Sequence, residues 1–301
     1  MIGYYHSHPS GPPEPSATDR ASASGVQTPW VLLYGWFRLS GGSRDIKAGS
    51  YEFAPGTTPR TLLSKLVRGE QAVRSITILE GWNHRQVFEL LRASPDLTQD
   101  LEGLSSADIM ALIGYPGRHP EGRFFPDTYR MVRQAPASSV LKQAAQAMEQ
   151  RLAQAWEQRD PSTLLRSPDE ALILASIIEK ETGAEADRAM VGGVFNNRLR
   201  IGMRLQTDPT VIYGLGERFD GNLRRSHLQD DTPFNTYTRR GLPPTPIAMP
   251  GKASMLAAVQ PATSKALYFV ARGDGTSAFS ENLNDHTRAV DQYQRRPRKS
   301  P

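Results

Sequence analysis

The pattern of apolar and polar positions changes character along the chain. Up to about Gln27 it has no period, only Pro, Ser and Gly among polar residues, which predicts a disordered tail over 1–28. The apolar run WVLLYGWF, Trp30 to Phe37, comes next; it is interrupted by Gly35 and falls well short of the roughly 18 to 20 residues that span a bilayer. A weak internal repeat succeeds it. A shift of 25 residues lays Phe53 on Ile78, Gly56 on Gly81, Arg60 on Arg85, Leu62 on Val87 and Leu66 on Leu91. Each copy reads as strand, glycine turn and short amphipathic helix; two unrelated βα units of a mixed domain would give the same periodicity. From about Leu104 the period is helical, first in SSADIMALIG and then from Ser138 to Gln158, where Val140, Ala144, Met148, Leu152 and Trp156 fall on one face. Between these helices EGRFFPDTYRM, Glu121 to Met131, carries Pro126 and many aromatics, which predicts a packed loop or a short strand.

Residues 167–182, SPDEALILASIIEKET, open with a strong helix start: Ser167 as N-cap, Pro168 at the first helical position, and Glu170 placed to close a capping box. The remainder of the helix is apolar almost all round, so it belongs inside the protein and its two terminal glutamates need a reason. Two residues apart on a helix is roughly 200°, so Glu179 and Glu181 face different ways. Glu181 continues the bulky stripe Leu174, Ile177, Ile178, whereas Glu179 shares its face with Leu172, Ala175 and Ser176. A carboxyl at Glu181, partly stripped of water and at the negative end of the helix dipole, is expected to hold its proton near neutral pH and to serve as a general acid. The alternative is a pair of surface glutamates flanking Lys180.

Beyond this helix, Ala184 to Leu199 reads as helical, with Gly192-Gly193 permitting a close approach. The runs 200–223 and 234–251 are rich in Pro, Gly and polar groups, and Leu267 to Ser280 looks like a hairpin. Gln206, Thr207, Asp208, Asn235, Thr236 and Tyr237 offer the amide, carboxylate and hydroxyl groups that line up sugar rings, although Asn-Thr-Tyr in a loop is also ordinary turn chemistry.

Composition narrows the classes. With 301 residues, 38% of them hydrophobic, the chain can bury a sizeable core, and without cysteine it has no disulfide framework. The net charge of +5 favours acidic partners, but part of it sits in the basic tail 294–301. No aromatics interleave with a basic stripe, so no nucleic-acid site is expected.

At the N-terminus, His6-x-His8 with Ser16 and Asp19 downstream resembles the signature of the JAMM-type deubiquitinating metalloproteases. Two imidazoles and a carboxylate suit a hydrolytic zinc. Only five residues precede His6, however, so the upstream glutamate that serves as base in that family has no counterpart, and no metal or cofactor is expected to take part in the chemistry.

From about Pro29 to Tyr293 the chain resembles the endolytic murein transglycosylases, the MltG or YceG-like family. The resemblance rests on KAGSYEF, LEGW, EGRFFPDTY, ASIIEKET, NNRLRIGMRLQTDPTVIYGLGER, NTYTRRGLPP, AMPG, YFVA and NLNDHTRAV. It implies an α+β fold, with LysM-like βα subdomains (truncated here, 29–100) preceding a mixed helical and β catalytic domain over 101–293 that has a lysozyme-like active-site helix. It also implies cleavage of the β-1,4 bond between N-acetylmuramic acid and N-acetylglucosamine in peptidoglycan glycan strands, leaving 1,6-anhydromuramoyl ends. The family's catalytic glutamate maps to Glu181. Penicillin-binding polymerases are implied as partners, and the periplasmic face of the bacterial inner membrane as the location. Family members carry a membrane helix ahead of the position matching Pro29, where this chain has the JAMM-like piece and shows no transmembrane helix or signal peptide of its own. The competing readings are a non-catalytic wall-binding scaffold and a JAMM-type hydrolase.

Overall fold

The computed structural model describes residues 30–39, 45–47 and 51–295. The JAMM-like segment with His6, His8 and Asp19, and the end of the basic tail, lie outside the described residues. The fold is mixed α+β and mostly helical. Among the described residues the strands form three two-stranded sheets, β1 (Val73–Thr77) with β3 (Thr128–Val132), β2 (Leu97–Thr98) with β4 (Ala135–Pro136), and β5 (Tyr268–Ala271) with β6 (Ser277–Ser280). No described helix is long and apolar enough to cross a membrane.

The chain divides into two compact units, and the division is not a single cut. Of the described residues, the first holds those up to Ile76, Asp96–Thr98 and Arg130–Ala135. It contains helix α1 (Trp30–Leu39) and helix α2 (Pro59–Arg68), with a small core of Phe37, Tyr51, Leu63 and Leu66. α2 begins where Thr58 accepts from the backbone of Thr61 and ends at Gly69, whose φ of 71° lets the chain leave in the left-handed region. Glu52 pairs with Arg74 at 3.1 Å and with Arg133 at 3.0 Å, and Asp96 approaches the same two arginines at 3.4 and 3.6 Å. This charge network joins three separated stretches of sequence.

The second unit holds Thr77–Pro95, Gln99–Tyr129 and the described residues from Pro136 on. Its helices are α3 (His84–Arg92), α4 (Ser106–Leu112), α5 (Ala137–Glu157), α6 (Pro168–Glu181), α7 (Glu185–Arg200), α8 (Asp208–Leu215), α9 (Arg225–Gln229), α10 (Lys252–Val259) and α11 (Leu283–Val290). Capping boxes start α3 at Asn83/Gln86 and α4 at Ser105/Asp108. α5 buries Val140, Ala144, Met148 and Leu152 along the expected face, and Trp156 is half-buried. α6 starts as expected, with Ser167 accepting from the Glu170 backbone, but the capping box does not close, because the Glu170 carboxylate accepts from the Arg166 backbone at 2.7 Å. Leu172, Leu174, Ala175, Ile177 and Ile178 are all buried, as an apolar helix requires. Its core also draws in Phe195, Leu205, Ile247 and Met255.

Against the repeat, Gly56 and Gly81 both take positive φ, at 85° and 75°, ahead of α2 and α3, but the first copy has no strand at 51–54. The run 121–131 is a loop leading into β3, and 267–280 is an antiparallel hairpin with Tyr268 opposite Ser280. Two helices, α8 and α10, stand within or directly after runs expected to be loops. Each is only eight residues long and is hidden in the sequence by surrounding Pro and Gly.

Gly192 and Gly193 carry the close approach that their pairing suggests. A Cβ on Gly192 would lie 2.3 Å from the Ala257 carbonyl oxygen of α10, and one on Gly193 would lie 2.8 Å from that of Ala262. Gly192→Ala should therefore lower stability by up to about 3 kcal/mol through overpacking, offset in part by the roughly 1 kcal/mol that alanine gains over glycine within a helix. Urea denaturation of the pair of proteins measures the difference; an Ala variant as stable as the parent would mean that α7 and α10 have room to separate.

Candidate active site

The second unit sets Glu181 at the last turn of α6, where the helix stops because Thr182 turns to extended backbone. The carboxyl group is half-buried. Thr207 Oγ1 donates a hydrogen bond to its Oε1. Burial is the largest influence on this carboxyl and raises its pKa; the Thr207 hydrogen bond and the charge of Arg198 pull it down, and the charge of Asp208 adds to the rise, for a net increase. Glu181 therefore holds its proton more tightly than a surface glutamate does.

Glu179, on the other side of the same helix end, has a different environment. Its Oε2 accepts from the Gly251 backbone at 2.9 Å and from Ser254 Oγ at 2.7 Å, so it caps the start of α10, and Arg188 stands 4.0 Å from its other oxygen. A Cβ on Gly251 would run into the Glu80 carboxylate, whose pKa burial and the neighbouring Glu179 both push up. Neither description is that of two surface glutamates flanking Lys180.

The polar residues expected around Glu181 fall into two groups. Thr207 is buried, 2% exposed, and is held by its neighbours: its N–H donates to Thr236 Oγ1 at 3.0 Å, and its carbonyl accepts from Thr210 Oγ1 at 2.8 Å. Asn235, wholly buried, donates its amide to the carbonyls of His227, Leu228 and Asp230, and its Oδ1 accepts from the Tyr237 backbone at 2.8 Å. Thr236 bonds to Thr210 Oγ1 at 2.9 Å and is likewise buried. The Asn235 and Thr236 side chains thus make their hydrogen bonds inside the protein and hold the loop, and a buried polar group satisfied there has little left to offer outside.

Gln206, Asp208 and Tyr237 form the outward group. Gln206 and Asp208 are exposed, and Tyr237 is half-buried with its hydroxyl donating to Asp208 Oδ1 at 2.5 Å. Burial and then that carboxylate push the Tyr237 hydroxyl above its ordinary pKa. Gln206 has a φ of 48°, the left-handed region that a non-glycine residue occupies only when its surroundings impose it, and its N–H is tied to the Thr236 carbonyl at 3.1 Å. The strained residue lies directly before the one that touches Glu181.

Two further buried charged residues of this unit, Arg198 beside Glu181 and Glu121 elsewhere, carried no signal strong enough to be singled out in sequence. Arg198 is buried on α7, donates to the carbonyls of Leu267 and Leu205, and lies over the Tyr268 ring at 5.4 Å. Burial lowers its pKa, and its charge acts on Glu181. Glu121, with no exposed surface, accepts from His84 Nδ1 at 2.6 Å, from the His84 backbone at 3.2 Å and from Tyr213 Oη at 3.0 Å. An acidic residue inside the aromatic-rich EGRFFPDTY was the available clue to it. Among the described residues no group of three or more His, Asp or Glu could hold a metal ion.

The YceG-like family matches residues 18–292. The chain belongs to that family. Among its YceG-like relatives, the endolytic murein transglycosylase of Bacillus subtilis is 31% identical over 269 residues, covering 84% of this chain and 74% of that protein. The endolytic murein transglycosylase of Streptococcus pneumoniae serotype 2 is 26% identical over 298 residues, and this chain spans about half of it, 53%. A 2.6 Å crystal structure of a yceG-like protein from Listeria monocytogenes superposes with a TM-score of 0.60 at 28% identity, covering 90% of this chain and 93% of that one.

The geometry of this YceG-like site gives two expected outcomes. A carboxyl whose pKa is raised on folding costs nothing while both states are protonated and destabilises the fold once pH rises through the raised value. Glu181→Gln should therefore melt above the parent near pH 8, by a margin that shrinks towards about pH 4; a margin constant with pH would mean that the carboxyl is not strained. Glu121→Ala leaves His84 and Tyr213 without their acceptor and should cost about 3 kcal/mol or more in urea denaturation, against less than about 1 kcal/mol for an exposed carboxylate such as Glu217.

Proposed function

We propose that this chain cleaves peptidoglycan as a lytic transglycosylase and that Glu181 is its single acid and base. Family membership and the names of the Bacillus and Streptococcus relatives support the reaction class and the substrate. The observation that carries the assignment to Glu181 is a half-buried carboxyl with a raised pKa at the end of a buried helix, beside a strained loop of exposed polar groups. In its protonated form it donates to the glycosidic oxygen as the bond to C1 of N-acetylmuramic acid breaks; as carboxylate, it then takes the proton of the same sugar's C6 hydroxyl as that oxygen closes on C1. An ordinary retaining glycosidase needs a second carboxylate as nucleophile. In the lytic reaction the substrate supplies that oxygen, and the product ends are 1,6-anhydromuramoyl.

Gln206, Asp208 and Tyr237 are the groups placed to meet sugar hydroxyls and amides, since their side chains face outward beside Thr207. Asp208, tied to the Tyr237 hydroxyl, is assigned to orienting sugar or loop. The buried α6 ending in its catalytic glutamate supports the lysozyme-like description of that helix. The left-handed glycines before α2 and α3 support the LysM-like description of the strand, turn and helix segments, with the first copy departing from it in lacking a strand. An enzyme of this class works on the wall outside the cytoplasm, which supports the periplasmic face of the inner membrane as its place and penicillin-binding polymerases as its neighbours, with the role of ending glycan strand elongation.

The test is mass spectrometry of soluble products from isolated sacculi. The purified protein should release anhydromuramoyl ends equally with and without EDTA, and Glu181→Gln should lose at least about 10²-fold in rate. Reducing muramic acid ends would replace lysis with hydrolysis. Loss of activity with EDTA would assign the chemistry to a metal instead.

A further inference from the structure

Thr207 does more than line the site. Its hydroxyl has one hydrogen to give. The described structure offers that hydrogen one acceptor, Glu181 Oε1, while the rest of Thr207 is fixed by Thr236 and Thr210. If instead the Glu181 proton sat on Oε1 and pointed at Thr207, the buried hydroxyl hydrogen would have no partner, and a buried donor without an acceptor is costly. We propose that Thr207 is the positioning residue of Glu181: it claims Oε1 in both protonation states and so confines the working proton of the reaction to Oε2.

This rests on the acid-base role given to Glu181 above. In the first step the Oε2–H bond breaks and its proton passes to the glycosidic oxygen as the bond from that oxygen to C1 breaks. In the second, Oε2 takes the proton from the C6 hydroxyl as O6 bonds to C1. Glu181 returns to its protonated state, and neither water nor any co-reactant is consumed. One oxygen therefore both gives and receives, so the carboxyl need not rotate between the steps, and the hydroxyl on the other oxygen forbids it to do so. Donation to Oε1 also favours the carboxylate, opposing burial and the charge of Asp208 on α8; Arg198 on α7 acts in the same sense as Thr207, and Tyr237 from the 234–251 loop faces the group as a neutral hydroxyl.

The test compares the parent, Thr207→Val, Thr207→Ser and Glu181→Gln by kcat and KM against pH on soluble glycan strands, with thermal melts to check folding. Thr207→Ala removes the same hydroxyl without new bulk and serves if the valine variant does not fold. Removing the hydroxyl should lower kcat about 10- to 100-fold, the worth of a hydrogen bond to a charged group. It should leave KM within about twofold and move the alkaline limb of kcat to higher pH, because the acid form then persists further; Thr207→Ser should restore all three. A rise in KM at unchanged kcat would make Thr207 a sugar contact and overturn the proposal, as would an unmoved alkaline limb. The two readings separate cleanly: activity retained in Glu181→Gln removes the acid-base assignment itself, whereas an inactive Glu181→Gln beside an unaltered Thr207→Val removes only the positioning role.

Discussion

An apolar helix buried on every side takes whatever polar groups it carries into the interior, and each of them has to be matched there. That constraint organises the second unit. α6 is packed against α5, α7 and α10, and Ser176, Glu179 and Glu181 along its C-terminal half each have a partner. Ser176 donates to the Ile173 carbonyl and accepts from the Ile247 backbone, Glu179 caps α10, and Glu181 receives Thr207. Apart from the Ser176–Ile173 bond within the helix, these bonds tie α6 to the stretch at Ile247, to the start of α10 and to Thr207. The loops around the site are consequently fixed by the demands of one helix, and exposed polar residues such as Gln206 can be held in a conformation that they would not choose alone.

The same unit holds carboxylates buried for opposite purposes. Glu121 accepts from a histidine ring, a backbone N–H and a tyrosine hydroxyl, so its oxygens are occupied and it serves to join the 79–92 segment, the loop at 121 and α8. Glu179 is similarly consumed by the start of α10. Among the described residues Glu181 receives one side-chain hydrogen bond, on Oε1, and none on its other oxygen. Partial burial with incomplete hydrogen bonding raises the pKa of a carboxyl while leaving an oxygen available, and it distinguishes Glu181 from two glutamates that are part of the framework.

Close packing provides the rigidity that this requires. Gly192 and Gly193 let α7 lie against the α10 region with backbone nearly touching backbone, and the same α7 carries Arg198, whose charge reaches Glu181. The threonines at 207, 210 and 236 then form a small hydroxyl network that fixes the loop at the point of contact. A polar network that is fully satisfied holds a single geometry, which is the property an acid-base group needs.

Much of this was legible in the sequence. The Ser167-Pro168 start, the all-round apolar composition of α6 and the i, i+3, i+4, i+7 stripe ending at Glu181 are local properties of a helix, and periodicity reports them directly. The same holds for α5 and for the β5–β6 hairpin. The short helices α8 and α10 were lost because eight residues give periodicity too little length to stand out from flanking Pro and Gly. What only the tertiary structure decided is which polar atoms are already spent. Asn235, Thr236 and Tyr237 are adjacent and equally polar on paper, yet two of these side chains are directed into the protein and one remains half-exposed. The hydrogen-bond partners of the Glu121, Glu179 and Glu181 carboxylates come from positions some 26 to 92 residues away. Hydrogen-bond satisfaction is a property of the packed chain, and no local pattern encodes a partner that folding brings from so far along the sequence.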